Sequence, residues 1–69
     1  MIKLNKIERF QLFCLEYYKT QINISGKVAL DVFESKGVFK FLEMGFEVLH
    51  TQSLSYIVDE ITIFIKNRS

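Results

Sequence analysis

The sequence predicts a small all-α fold, a single-domain bundle of about four helices with short connections. Three observations lead there. Apolar residues recur at three- and four-residue spacing in four successive segments, as helices with one buried face require. The chain has no proline, and its strong backbone punctuation is limited to Gly26, Gly37 and Gly45. No two convincing strands are available to pair, and a strand alone has nothing to bond to.

The first helix is expected to start after Asn5. Asn5-Lys-Ile-Glu8 has the capping-box arrangement, in which a short polar side chain and a glutamate three residues later satisfy each other's backbone N–H groups. Ile7, Phe10, Cys14 and Tyr17 or Tyr18 then form its apolar stripe, and polar residues from Gln21 to Gly26 end it. Ser25 is placed to cap a second helix over 26–36. This helix turns Val28, Ala29, Val32 and Phe33 to one side and Lys27, Asp31, Glu34 and Ser35 to the other. Gly37 supplies the stop, because a left-handed residue after the last turn costs glycine no side-chain clash.

A third helix is expected over 38–49, carrying Val38, Phe41, Leu42, Phe46 and Leu49, with Phe39 and Val48 widening the stripe. A helix that apolar belongs in the centre of a bundle. Gly45 falls within the stripe, where its missing side chain lets another helix approach at a propensity cost of about 1 kcal/mol. Thr51 or Ser53 caps the fourth helix, in which Leu54, Ile57, Val58, Ile61, Phe64 and Ile65 follow the helical period. The segment 61–65, Ile-Thr-Ile-Phe-Ile, also alternates as a strand does, but the longer stripe fits a 3.6-residue repeat and no partner strand exists.

Composition bounds the function. The 69 residues make one domain, 1–69, and a chain of this size buries only about 60% of the surface its unfolded form exposes. Yet 49% of the residues are hydrophobic, including seven Phe and three Tyr, more than a very small core hides. That surplus favours a homodimer or a protein partner. Nine Lys plus Arg against eight Asp plus Glu leave a formal charge of +1 with the signs interleaved, so no phosphate-binding footprint is visible and nucleic acid is not the expected partner. Cys14 has no second cysteine to pair with and lies in an apolar helical pattern, which reads as a buried thiol in a reducing compartment. Charges run through the first ten residues, against a signal peptide, and no apolar run approaches the roughly 18 residues of a membrane span. The expected setting is the cytoplasm.

No catalytic, cofactor-binding or metal-binding residue is expected. His50 is the single histidine. Projection at about 100° per residue sets it beside Lys40, Glu43 and Glu47 on a polar face, where it marks a helix terminus and can pair with Glu47. A metal site needs further ligands, and a general base needs a nucleophile and an oxyanion-stabilising element, none of which appears as a motif. The stronger signal is apolar residues off their own stripe. Tyr56 and Ile63 are seven residues apart, hence on one line, beside Asp59 and Glu60 and opposite Leu54, Ile61 and Ile65. Leu12 likewise lands among Glu8, Arg9, Glu16 and Lys19. Single exposed apolar residues are ordinary; apolar anchors within a charged rim are the pattern of an interface. Glu43 and Glu47, like charges four apart, repel each other, and a basic partner surface would relieve that.

Several short runs carry a family resemblance: Ile24-Ser-Gly-Lys-Val28, Val32-Phe33, Gly37-Val-Phe39, Val48-Leu-His-Thr51 and Tyr56-Ile-Val-Asp-Glu-Ile61. In this order and spacing the chain resembles domain-of-unknown-function family 3791, short bacterial proteins, from about the first helix to Ile65. Members of that family often accompany a neighbour with an ADP-ribosyltransferase-like domain, in an arrangement like a toxin and antitoxin pair. The resemblance implies a small binding protein that inhibits or stabilises that neighbour, with no catalytic residues to carry over. The connector 52–55, Gln-Ser-Leu-Ser, lacks the glycine often seen there. The motif positions His50, Thr51, Tyr56 and Asp59 surround the junction of the third and fourth helices, and the outward stripe adds Ile63. These five form the expected partner-binding surface. Two other classes compete: a helix-turn-helix regulator reading DNA with the third helix, which opposes Lys40 to Glu43 and Glu47, and an enzyme using His50 as acid or base.

Overall fold

Asn5 does what its spacing predicts. In a computed structural model of the chain, which describes residues 3–68, the backbone N–H of Glu8 donates to Asn5 Oδ1 at 2.8 Å while that of Asn5 donates to Glu8 Oε1 at 3.0 Å. This capping box opens α1 (Lys6–Gln21). Ser25 Oγ accepts from the Val28 N–H at 3.2 Å and opens α2 (Gly26–Ser35). Gly37 follows with φ 72° and ψ 27°, the left-handed conformation that glycine adopts without strain, and turns the chain into α3 (Val38–Met44). A short α4 (Phe46–Leu49) and a long α5 (Leu54–Asn67) complete an all-α globule with no strand among the described residues. Of the two candidate caps for the last helix, Ser53 is the one used, accepting from the Tyr56 N–H at 3.1 Å. The segment 61–65 lies wholly inside α5, so the helical period prevails over the strand-like alternation. Residues 1, 2 and 69 of the expected domain 1–69 lie outside the described residues.

One buried cluster draws on all five helices: Cys14 and Tyr18 from α1, Ala29 and Phe33 from α2, Val38 and Leu42 from α3, Leu49 from α4, and Ile57, Val58 and Ile61 from α5. No polar or charged residue among those described is buried with them. Phe33 is fully buried, and its ring lies 5.3 Å from that of Tyr18 and 5.3 Å from that of Phe39, so one side chain joins α1, α2 and α3. Each such ring pair adds about 0.5–1.5 kcal/mol beyond the area it buries. The Gln11 side-chain amide donates to the Phe39 carbonyl at 2.8 Å and ties α1 to α3 a second time.

The expected third helix is broken. Gly45, at φ −96° and ψ 7°, leaves the helical well and divides it into α3 and α4. The room beside Gly45 is taken by a side chain of the adjoining α4. A Cβ there would stand 3.0 Å from Leu49 Cδ1, the side chain that anchors α4 in the core. Two valines assigned to core-facing stripes are exposed instead, Val28 at 47% and Val48 at 66%. Each is one residue, about 100°, from a buried neighbour, Ala29 and Leu49 respectively, and no second element reaches that far round the helix.

Three substitutions separate conformation from packing. Gly37→Ala is expected to lose about 1–2 kcal/mol in urea denaturation, although a Cβ there meets nothing closer than the Arg68 guanidinium at 3.9 Å. Gly26→Ala, in ordinary contact with Lys19 Cδ at 3.7 Å and at a helical φ, is expected to be neutral or stabilising. Phe33→Ala is expected to cost about 3–5 kcal/mol, a large share of the stability of a domain this size.

Candidate protein interface

The junction between α4 and α5 is built from the run Leu49-His50-Thr51, and each residue has local work. Leu49 is buried. His50 is exposed, and its ring stacks on that of Phe46 with centroids 4.5 Å apart and planes 10° from parallel. Its Nδ1 lies 2.6 Å from the Phe46 carbonyl oxygen. A carbonyl only accepts, so Nδ1 carries the hydrogen and the ring closes the last turn of α4. Thr51 Oγ1 donates to the Val48 carbonyl at 2.7 Å. His50 is a helix terminus, as its position suggests, but its partner is Phe46 and not Glu47.

The structure does not bring all five expected residues onto one surface patch. The cleft at His50 is lined by Lys6, Arg9, Phe10, Phe13 and Phe46, which places the histidine against the first half of α1. Phe10 meets Phe46 edge to face at 5.3 Å and holds α4 there. Tyr56, Asp59 and Ile63 stand on the outer face of α5, opposite buried Ile57, Val58 and Ile61. Tyr56 is 44% and Ile63 53% exposed, so neither is spent on the core. The outward stripe is real, and it is separate from the histidine cleft.

A second outward face lies on α1. Leu12 is exposed, as its charged neighbours suggest, but the larger feature is Phe13, at 66% exposure. Projection alone carries the signal: Phe13 sits more than a right angle from the buried Cys14 and Tyr18 line. The expected stripe of α1 did not include it. Phe13 borders the histidine cleft on one side and a hollow with Glu16, Tyr17, Thr20 and Leu54 on the other.

Chemistry is sparse across the whole surface. The lining of the histidine cleft offers two cations and aromatic rings, Lys6 and Arg9 with Phe10, Phe13 and Phe46. A cleft of about 520 Å³ between α3 and the end of α5 includes Lys40, Met44 and Arg68 in its lining. Its wall is the stacked pair Phe41 and Phe64, 4.4 Å apart, with the Arg68 guanidinium 5.3 Å from the Phe64 ring centre. No group of three or more His, Cys, Asp or Glu among the described residues could hold a metal ion. No described helix is long and apolar enough to cross a membrane.

The family model for proteins of unknown function designated DUF3791 matches residues 9–68, and the chain belongs to that family. No curated protein and no solved structure matches it.

The Cys14 thiol is fully buried, and burial pushes its pKa up to about 12 from 9.0. Native protein at neutral pH is therefore expected to resist thiol reagents such as dithionitrobenzoate and to react with them only after denaturant is added. The same shift has a sign for stability. The folded state favours the protonated thiol, so the contribution of this group holds below pH 9.0 and is lost as pH rises toward about 12. Cys14→Ala is expected to flatten that alkaline decline.

Proposed function

We propose that this member of the family is a small non-catalytic interaction module that binds a partner protein through the outer face of α5. The observation that carries the reading is the pair Tyr56 and Ile63, two large apolar side chains on one line, half exposed, with Asp59 beside them and no role in the core. An exposed tyrosine is well suited to anchoring an interface, because it buries a large rigid area and keeps a hydroxyl for the rim. His50 and Thr51 serve this surface by closing α4 and so fixing where α5 begins. The family resemblance supplies the partner class: an ADP-ribosyltransferase-like protein encoded alongside, held or inhibited in the manner of an antitoxin. Tyr56 and Asp59 belong to the family's Tyr-Ile-Val-Asp run, and Ile63 follows one helical turn later, which supports placing the contact there.

The DNA-reading alternative finds little to rest on. The reader helix α3 has seven residues, two of them in the core, and the charge of Lys40 is opposed by Glu43 at 3.9 Å. Such a face offers phosphates little net attraction.

The test is a binding titration of the purified chain against the neighbouring ADP-ribosyltransferase-like protein. Tyr56→Ala with Ile63→Ala is expected to leave helicity and melting nearly unchanged and to weaken the complex by about 100-fold or more, as loss of two central anchors does. A complex of unaltered affinity would remove the α5 face from consideration.

A further inference from the structure

The outer face of α1 has an order that the proposed partner-binding face on α5 does not use. Leu12 and Phe13 form its centre, and Arg9 and Glu16 flank them in a concavity of about 280 Å³. Arg9 lies three residues before Leu12 and Glu16 three residues after Phe13, so the two charges are placed symmetrically about the midpoint of the apolar pair. They are seven residues apart, two turns and about 10.5 Å along one line of the helix. Arg9 has no ion-pair partner among the described residues, and the Glu16 carboxylate pairs with the neighbouring Lys19, at 2.8 Å, with its own side chain 67% exposed.

We propose that two copies of this chain pair antiparallel through α1, about a two-fold axis that passes between Leu12 and Phe13. In that arrangement a residue a given distance before the midpoint faces the residue the same distance after it. Arg9 of each copy therefore faces Glu16 of the other, twice, while Leu12 of each packs on Phe13 of the other at the axis. A parallel pairing would set Arg9 against Arg9 and Glu16 against Glu16. The pattern is thus self-complementary in one orientation and repulsive in the other, which is what an interface between identical copies requires. Lys6 and Lys19 face each other across the ends of the strip, and there the ion pair with Glu16 holds Lys19. The pairing covers the half-exposed Leu12 and the more exposed Phe13, and it leaves Tyr56 and Ile63 on α5 accessible.

Sedimentation equilibrium of the full chain over a range of concentrations tests this. The wild type is expected to dimerise, and Phe13→Glu to be monomeric with unchanged circular dichroism. Arg9→Glu and Glu16→Arg are each expected to weaken the dimer by about tenfold or more, since each turns two attractions into repulsions. Combining them is expected to restore it, because the reversed pair is again complementary across the two-fold axis. A wild type that stays monomeric throughout overturns the proposal, as does a dimer indifferent to the single reversals or one that the double reversal fails to rescue. Tyr56→Ala with Ile63→Ala separates this inference from the α5 reading: it is expected to leave the dimer intact, and a monomeric outcome would assign self-association to α5 instead.

Discussion

The ring of Phe33 lies between those of Tyr18 and Phe39, and the arrangement of the first three helices follows from that contact. With α2 pinned by one aromatic side chain to both α1 and α3, the turn at Gly37 has little freedom, and a left-handed residue is what lets α3 fold back. The fourth and fifth helices close the remaining side through Leu49, Ile57 and Ile61. The core is small, yet it contains no buried polar residue among those described, so little of its apolar burial is offset by desolvation.

A core of that size cannot absorb all the apolar residues this chain carries, and part of what is left over is organised. Phe13 and Leu12 gather on α1, Tyr56 and Ile63 on α5, and Met44 stands 77% exposed at the edge of the cleft between α3 and α5. The first two groups lie on the sides of their helices turned away from the core. A protein with two such faces can pair with itself through one and keep the other for a different protein. Among the described residues the core holds a lone thiol, Cys14, and burial among apolar side chains keeps it chemically quiet.

Much of this was readable in advance because the relevant chemistry is local. Asn5, Ser25 and Ser53 announce helix starts through side chains that reach three residues ahead, and Gly37 announces a stop through its dihedral alone. What escaped depends on distant contacts. The spacing of Val38, Leu42 and Leu49 is that of one continuous helix, so the break at Gly45 leaves no mark on the period. Val28 and Val48 sit at the margins of their stripes, where a neighbour's reach decides burial and a projection cannot know it. On α5, the exposure of Tyr56 and Ile63 was legible because they oppose a strong stripe. The docking of His50 against α1 was not, since Phe10 and Phe46 are far apart in the chain and their ring contact creates that cleft.

The three side-chain caps have a kinetic consequence. Each is made within four consecutive residues, so the starts of α1, α2 and α5 are specified before any distant part of the chain arrives. Ordering of this kind asks for few large loop closures, and chains dominated by nearby contacts collapse to the native state within microseconds to milliseconds. For a sequence with seven phenylalanines, speed is protective: the interval in which Phe33 and Phe39 are solvent-exposed and able to find another molecule is short, and crowded synthesis is less apt to end in aggregates.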